Sequence, residues 1–245
     1  MSTPFDLTGK QILVTGASSG IGRAIAIECS KMGAVVTITG RNKERLQETL
    51  EQMQGDQHQV VACDLCNSSE IAAMVESLPR LDGIVHSAGM GQRKLCKQLT
   101  GYDFDQVMGV NLKAPMLLQA ALLSKKKVNK GASIVFIASM ASSSPSVGNA
   151  VYSASKGALI SYANCLSLEL APRNIRVNCI SPAMVWTELI TKDGLDEEQL
   201  RLDEANYPLK RYGKPEDIAY LSIYMLSDAS SWMTGSEVRI TGGMK

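Results

Sequence analysis

Two residues with complementary proton chemistry, Tyr152 and Lys156, lie four positions apart in a segment of helical character. Residues at this spacing share one face of a helix, so the phenol and the amine would point to the same side. A phenol can act as a general acid or base when a neighbouring positive charge lowers its pKa, and an ammonium supplies that charge. The spacing is common by chance, so its setting must decide whether the pair forms a site.

Ser139 lies thirteen residues before Tyr152 and follows the apolar run Ser133–Ile137. Such a run is typical of a buried strand. A hydroxyl at the end of a strand could donate a hydrogen bond to a substrate oxygen on which negative charge develops. The three side chains therefore share a setting, the end of a predicted strand and the start of a later predicted helix.

A glycine-rich turn, Thr15–Gly22, follows the first apolar run of the chain. Gly16 would permit a tight turn, Gly20 would let backbone N–H groups approach a pyrophosphate, and Gly22 would let the next helix pack closely on the sheet. The anion would then lie at the positive end of that helix. The spacing is GxxxGxG rather than the commoner GxGxxG, so the position of the turn carries the argument.

The residues after the second apolar run indicate which dinucleotide would bind there. An NAD site usually places Asp or Glu at this point to hold the ribose 2′-hydroxyl, but the sequence here is Thr39-Gly40-Arg41-Asn42. The planar guanidinium of Arg41 could hold a 2′-phosphate instead. We therefore predict NADP(H), with a surface arginine on a polar turn as the alternative interpretation.

Apolar runs of strand length alternate with amphipathic stretches of helical length, which predicts right-handed βαβ units. The predicted strands are 11–14, 34–39, 59–62, 83–86, 133–137, 175–180 and 238–240. The predicted helices are 21–32, 43–53, 68–78 capped by Ser68 or Ser69, 103–126 with a kink, 151–170 and 215–226. We therefore expect an α/β fold in which residues 1–245 form a single doubly wound domain, with about seven parallel strands and helices on both faces.

The segment 187–207 fits this alternation least well, because it combines Asp193-Gly194 with six nearby charges. It follows the sixth predicted strand and so lies beside the carboxyl ends of the strands, where ligands bind in open α/β sheets. We interpret it as a mobile substrate lid. The alternative is an exposed helical hairpin.

Composition and charge narrow the classes of function. The chain has 245 residues, 45% hydrophobic and 20% charged, and a net charge of +1, which gives no support to nucleic-acid binding. The N-terminus has no basic region followed by an apolar run, and no apolar stretch approaches the roughly 20 residues of a membrane span. We expect a cytoplasmic protein with neither nucleic acid nor membrane as partner.

The six cysteines are expected to be reduced thiols in such a protein. Cys63 and Cys66 form a CxxC, but a zinc site would need a second pair or nearby histidines, and the two histidines are His58 and His86. We interpret the cysteines as structural and predict no metal site.

Taken together, these motifs resemble the short-chain dehydrogenase/reductase family along nearly the whole chain, and its 3-oxoacyl-[acyl-carrier-protein] reductases in particular. The matching features are Thr15–Gly22, Asp64, Ala88-Gly89, Asn111, Ser139, Tyr152-Ser153-Ala154-Ser155-Lys156, Pro182 to Thr187, and Gly242-Gly243. The resemblance implies a Rossmann-type fold with a seven-stranded sheet, NADP(H)-dependent interconversion of a carbonyl and an alcohol, and a homotetramer or homodimer, of which we expect the homotetramer.

The resemblance also implies a role for each member of a catalytic group. Tyr152 would be the acid in ketone reduction, and Lys156 would lower its pKa and hold the nicotinamide ribose. Ser139 would bind the substrate oxygen, and Asn111 would anchor a water that links Lys156 to solvent. The implied NADP(H) ligands are Gly16, Ser18, Ser19, Gly20, Ile21, Gly22, Arg41, Asp64 near the adenine, Leu65, Ser87, Ala88, Gly89, Tyr152, Lys156, Pro182, Val185, and Thr187 at the carboxamide.

Two positions depart from the family pattern. His86-Ser87-Ala88-Gly89 replaces the usual Asn-Asn-Ala-Gly, and Ala183 replaces the glycine that usually follows Pro182. We interpret His86 as a structural substitute rather than a catalytic base. Thr187 keeps its spacing in spite of Ala183, and neither departure touches the catalytic group.

The leading hypothesis for the substrate is a 3-oxoacyl thioester, and a small ketone, sugar or polyol is the alternative. A third hypothesis is a sensor or scaffold that binds NADP(H) without turnover. Lys130 and Arg173 resemble the basic residues with which acyl-carrier-protein ketoreductases dock their acidic carrier, although a solvated helix end would also explain the lysines near Lys130. The residues expected to line the substrate pocket are Met90 to Lys94, Met140, Asn149, Met184 to Trp186, and the region 188–205.

Overall fold

The computed structural model describes residues 3–192 and 196–244. Within them, seven strands form one parallel sheet in the order β3-β2-β1-β4-β5-β6-β7. The strands are β1 (Gln11–Thr15), β2 (Val35–Gly40), β3 (Gln59–Ala62), β4 (Leu81–His86), β5 (Val128–Ile137), β6 (Arg176–Pro182) and β7 (Glu237–Ile240). The strand order reverses between β1 and β4, and this switch point opens the crevice in which ligands of such sheets bind.

Helices cover both faces of the sheet, as the sequence predicted. The helices are α1 (Gly20–Lys31), α2 (Lys43–Leu50), α3 (Ser68–Ser77), α4 (Gly101–Met108), α5 (Ala114–Ser124), α6 (Ala150–Leu170), α7 (Glu188–Lys192), α8 (Glu197–Glu204) and α9 (Pro215–Leu226). Buried residues of α1, α2 and α9 belong to one core cluster, and those of α3, α5 and α6 belong to the other. The sheet is therefore buried on both sides, which explains its continuously apolar strands.

The predicted kink in the long fourth helix is a π-helical turn, Gly109–Lys113, between α4 and α5. Pro115, in the first turn of α5, lacks the N–H that a regular α-helix would use. The turn carries Asn111, which is completely buried. Single π turns inside helices are frequent at functional sites, and this one aims a polar side chain inward.

The continuous helix Gly101–Ser124 is long and apolar enough, with a mean hydropathy of 1.3, to cross a membrane by length and composition. The sequence pattern predicted no apolar stretch of this length. Leu118 and Leu122 of this helix are fully buried in the core cluster on one face of the sheet. This helix therefore contributes buried side chains to the core of the fold.

Several element ends differ from the prediction for local reasons. The side chain of Asn67, rather than Ser68 or Ser69, caps α3 by accepting from the amides of Ser69 and Glu70. The helix predicted to begin at Asp103 begins at Gly101, because Thr100 and Asp103 form a reciprocal capping box. The helix 43–53 ends at Leu50, and β5 begins five residues earlier than predicted, where its pairing with β4 is irregular.

The segment predicted to be irregular, 187–207, contains two short helices, α7 and α8. Leu200 and Tyr207 form a small separate core with Tyr212, and Trp186 packs against it. Asp193 and Gly194, which supported the lid interpretation, lie outside the described residues. The part of this segment that the structure covers is therefore mostly helical, as in the alternative interpretation, and not an irregular loop.

Candidate active site

A cleft of about 740 Å³ runs along the carboxyl ends of the strands at the switch point. Every predicted NADP(H) ligand lines it, and so does Ser139. These residues come from the ends of β1, β2, β3, β4, β5 and β6 and from the start of α6. Parallel strands place all their carboxyl ends at one edge, so residues far apart in the sequence converge there.

The glycine-rich turn is held tightly against the loop after β4. Gly16 has a φ of +68°, and a Cβ built there would lie 2.7 Å from the Cα of Ala88. Gly20 also has a positive φ, +53°, and faces Thr187 across the cleft. A Cβ at Gly22 would collide with the carbonyl of Gly16. Gly22 is therefore required because the first turn of α1 lies against the backbone of Gly16. The sequence had suggested a different reason, the packing of α1 on the sheet.

The N-terminus of α1 is left without a protein cap. Ser19 occupies the capping position but makes no side-chain hydrogen bond to the helix, and the first turn holds no acidic residue. In contrast, Asn42 caps α2 and Asn67 caps α3. The residues of the uncapped turn line the cleft. Its backbone N–H groups and the positive end of the helix dipole therefore suit a pyrophosphate.

Two arginines line the cleft where it passes the end of β2. Gly40, Arg41 and Arg45 line this part, and the segment 39–42 contains no carboxylate. Arg41 is exposed, and its guanidinium makes no hydrogen bond or ion pair with the residues that the structure describes. A Cβ at Gly40 would meet Ser18 Oγ at 3.6 Å, which is ordinary contact. Space alone therefore does not exclude an acid at position 40.

Tyr152 and Lys156 lie in the first two turns of α6 and both line the cleft. The Nζ atom of Lys156 is 5.9 Å from the centroid of the Tyr152 ring. Lys156 is 5% exposed and donates a hydrogen bond to the carbonyl of Ile137 at 2.9 Å. Burial lowers the pKa of this ammonium from its ordinary value to about 8. The hydrogen bond therefore fixes the ammonium beside the phenol. Its pKa of about 8 means that Lys156 is still mostly protonated at pH 7.

Ser139 lies just beyond the end of β5 and lines the cleft, as Tyr152 does. Its Oγ accepts a hydrogen bond from the amide of Ala141 at 3.1 Å and so caps the short 3₁₀ turn that follows. This contact engages one of the two lone pairs of the hydroxyl and leaves its proton able to donate to a ligand. The local turn therefore holds the Ser139 side chain in place while its proton stays available.

Asn111 does not line the cleft but forms the layer behind it. Its Nδ2 donates to the carbonyl of Met90 at 3.0 Å and to Ser155 Oγ at 3.1 Å, and its Oδ1 accepts from the amide of Met90 at 2.8 Å. A Cβ at Gly89 would lie 3.4 Å from both Asn111 Oδ1 and Lys156 Nζ. Asn111 therefore fastens the loop after β4 to α6 close to the buried ammonium. The sequence reading missed Ser155 as the partner that completes this arrangement.

His86 lies in the core and not in the cleft wall. It is 3% exposed, its ring stacks on Phe136 with centroids 4.6 Å apart, and its Nε2 donates to Gln119 Oε1 at 3.0 Å. Burial lowers the pKa of the imidazole to about 4. This neutral, enclosed ring supports the interpretation of His86 as a structural substitute.

The two cysteines of the CxxC both line the adenosine end of the cleft, which the sequence reading did not anticipate. Both thiols are free, Cys63 is buried and Cys66 is exposed, and burial raises the pKa of each. Among the described residues, no group of three or more His, Cys, Asp or Glu side chains could hold a metal ion. The pattern Cys-Asp-Leu-Cys reaches the cleft because it follows β3.

The substrate end of the cleft is rich in flexible apolar side chains. Its wall includes Met90, Met140, Met184, Ile190, Tyr207 and Met244. Tyr207 is the last residue of the segment predicted as a lid, whereas Met244 was not predicted because it reaches the cleft from a distant part of the chain. Methionine adapts its shape to an irregular apolar ligand.

Some of the residues expected in this wall lie elsewhere. Gln92 and Lys94 turn away and bind Asp103 at 2.8 and 2.6 Å. Trp186 donates its indole N–H to Glu204 at 2.7 Å and packs on Tyr212. Within 188–205, residues 188–190 line the cleft, whereas α8 borders a separate cavity of about 220 Å³. The carboxylates of Asp103 and Glu204 therefore hold these side chains outside the cleft wall.

The comparisons with known proteins agree with this geometry. Residues 16–245 match the family model described as enoyl-(acyl carrier protein) reductase. The chain is 37% identical over 239 residues to a 3-oxoacyl-[acyl-carrier-protein] reductase of Rickettsia felis, and the match covers 98% of each chain.

Two solved structures are similar over almost the full length. One is a putative NAD(P)-dependent gluconate 5-dehydrogenase of Beutenbergia cavernae with bound NADP, with a TM-score of 0.88, 33% identity and 98% coverage of both chains. The other is a 3-ketoacyl-(acyl-carrier-protein) reductase of Brucella melitensis complexed with NADH, with a TM-score of 0.88 and 30% identity, covering 97% of this chain and 99% of that one.

Proposed function

The chain belongs to the short-chain dehydrogenase/reductase family, and on that premise we propose that it is an NADP(H)-dependent reductase of 3-oxoacyl thioesters. It is an NAD(P)(H)-dependent oxidoreductase that acts on carbonyl and CH–OH groups. The observation that carries the proposal is that Ser139, Tyr152 and Lys156 line the same cleft as the glycine-rich turn.

The residues present fit a phosphorylated dinucleotide. The uncapped turn at the start of α1 offers backbone N–H groups to the pyrophosphate, and the positive φ of Gly16 and Gly20 keeps side chains out of its path. Arg41 offers a guanidinium just after the end of β2 that has no partner among the described residues. Bound NADPH would supply the hydride for the reduction.

The protein's own part in the reaction is to hold the carbonyl and deliver a proton. Ser139 would donate a hydrogen bond to the carbonyl oxygen, where negative charge develops. Tyr152 would give its phenolic proton to the same oxygen. The fixed charge of Lys156 would stabilise the phenolate that remains. Asn111 would act as a positioning residue, because its hydrogen bonds hold the loop after β4 against α6 beside Lys156.

A thioester with an acyl chain suits the substrate end of the cleft. The methionine-rich wall can adapt to flexible methylene chains, and the 3-oxoacyl reductase relatives act on such substrates by name. The relative named for gluconate keeps a small sugar or polyol as the second candidate. A sensor without turnover is less well supported, because the whole catalytic group is retained.

Lys130 and Arg173 form the proposed docking point for an acidic acyl carrier. Arg173 donates to the carbonyl of Val128 at 2.6 Å, which places it beside the start of β5 and close to Lys130. The cleft lies at the other end of this strand, about 25 Å away at the rise of a parallel strand. A carrier docked here would therefore serve the cleft of a neighbouring subunit. Carrier-dependent chemistry of this kind would take place in the cytoplasm, where we place the protein.

We propose a homotetramer in which α4, α5 and α6 form one interface. These helices expose large apolar side chains: Tyr102 is 72% exposed, Phe104 50%, Leu117 42% and Leu168 78%. Such side chains grouped on adjoining helices mark an interaction surface. Light scattering should give four times the mass of one chain, and a monomer mass at micromolar concentration would contradict the proposal.

The substrate proposal is tested by NADPH oxidation with a matched panel. We expect turnover with acetoacetyl thioesters of N-acetylcysteamine and coenzyme A, and weaker turnover with diketones, keto sugars and cyclic ketones. A crotonyl thioester, which lacks the 3-oxo group, should give none, because it has no ketone carbon to accept the hydride. Preference for a keto sugar would instead support the second candidate, and the absence of any turnover would favour a sensor.

A further inference from the structure

An ion pair joins the two sides of the cleft between α2 and α7. Arg45 Nη1 lies 3.0 Å from Glu188 Oε2, and Nη2 contacts Oε1, so the pair is bidentate. Both side chains line the cleft. Helix α2 follows β2 and α7 follows β6, and these strands lie on opposite sides of the switch point. The pair therefore bridges the mouth of the cleft at the adenosine end.

The surroundings of Arg45 make it a natural ligand for a second anion. Arg45 lies in the first turn of α2, four residues after Arg41, whose guanidinium is unpaired among the described residues. The carbonyl of Arg45 accepts from Arg23, and its amide is capped by Asn42 at 2.8 Å, so its backbone is fixed while its side chain extends into the cleft. Glu48 pairs with Arg23, and Glu188 is thus the acid that holds the Arg45 guanidinium.

We propose that Arg45 is a second ligand of the 2′-phosphate of NADP(H), held in the free protein by Glu188. This inference rests on the proposed use of NADP(H). A phosphate monoester carries more negative charge and more acceptor oxygens than a carboxylate, so a guanidinium exchanges readily from one to the other. The pair with Glu188 is partly exposed, and pairs of that kind are weak. Arg45 can therefore leave Glu188 when a phosphate arrives.

The exchange gives Arg45 opposite effects on the two dinucleotides. NADPH compensates for the broken pair with a new contact to the phosphate. NADH must also displace the pair that bridges the mouth, but it has no 2′-phosphate to offer in return. The pair thus acts as a filter that disfavours NADH, in addition to the attraction that Arg41 provides for NADPH.

Binding constants measured by calorimetry on the full chain at low salt test the proposal without requiring turnover. Arg45→Gln should weaken NADPH binding about tenfold and should tighten NADH binding about two- to threefold. Glu188→Gln should tighten the binding of both about two- to threefold, because it removes the pair and leaves Arg45 available. Lys43→Gln is the matched control, since it makes the same charge change on an exposed residue of α2 outside the cleft wall.

The outcomes separate this inference from the proposed function. If Arg45→Gln weakens both dinucleotides equally, or has no more effect than Lys43→Gln, the second phosphate ligand is refuted. If Glu188→Gln weakens binding, the pair is a structural brace and the inference also fails. The predicted signs without any turnover on the substrate panel would uphold Arg45 and overturn the proposed reaction. Thermal unfolding of each variant confirms that the compared proteins are folded.

Discussion

The ammonium of Lys156 donates to the carbonyl of Ile137 at 2.9 Å from a position that is only 5% exposed. Burial of this charge is unfavourable, as the lowering of its pKa from 10.5 to about 8 shows. The role that we propose for this ammonium beside Tyr152 would account for a cation at so unfavourable a position. Residues that serve chemistry in this way often reduce the stability of the fold.

Replacing Lys156 by Met should abolish turnover and raise the free energy of unfolding at pH 7 by up to about 3 kcal/mol. The folded pKa lies below the unfolded value, so between pH 8 and 10.5 the unfolded chain binds the proton more readily. Stability of the wild type should therefore rise with pH across this window, and the variant should lose that rise. Urea unfolding at pH 7 and pH 10 measures both effects. A variant that is less stable than the wild type at both pH values would contradict the argument.

Replacing Tyr152 by Phe should reduce turnover about 10²- to 10⁴-fold while NADPH binding is retained, because only the transferable proton is removed. Tyr162→Phe is the matched control on the same helix, since the Tyr162 ring packs edge-on against Phe136 in the core. Steady-state rates and calorimetric binding of NADPH separate the two properties. Substantial activity in Tyr152→Phe would mean that another group is the acid.

The double change Gly40→Asp with Arg41→Ala should shift the preference toward NADH about 10- to 100-fold. The new carboxylate would repel a 2′-phosphate and accept from a ribose 2′-hydroxyl, and a side chain at position 40 meets only ordinary contacts. The ratio of the dissociation constants for NADPH and NADH is the measurement. An unchanged ratio would show that Arg41 is merely a surface residue.

Replacing His86 by Asn, the residue usual in the family, should make the free energy of unfolding less dependent on pH in acid. The folded pKa of His86, about 4, lies below its ordinary value of 6.5, so between these values the unfolded chain binds an extra proton. Wild-type stability should fall by up to about 3 kcal/mol as the pH drops through this window. Urea unfolding at pH 7 and pH 4.5 tests this, and equal pH dependence in both proteins would refute it.

Activity supplies the second readout for His86. His86→Asn should keep most of its turnover at pH 7, because the ring lies in the core between Phe136 and Gln119 rather than in the cleft wall. A loss comparable to that of Tyr152→Phe would instead assign His86 an acid–base role.

The sequence by itself determined the fold and most of the cleft. Strand β3 has the predicted bounds Gln59–Ala62, and α9 runs from Pro215 to Leu226 as predicted. These elements follow from local signals: short apolar runs, helical periodicity, and a proline at the first helical position. Since parallel strands bring their carboxyl ends to one edge, the motifs that follow them were bound to meet, and each predicted NADP(H) ligand lines the cleft.

Only the tertiary structure decided which side chains face that cleft and what they bind. Asp103 draws Lys94 away from the substrate, and Ser155 proves to be the partner of Asn111. Arg45 and Glu188 are 143 positions apart and have no recognisable motif, yet they meet across the mouth. Such contacts depend on the strand order and on helix rotation, which set distances through space. The periodicity of apolar residues shows which face of a helix or strand is buried. It does not show which residues of other elements that face contacts.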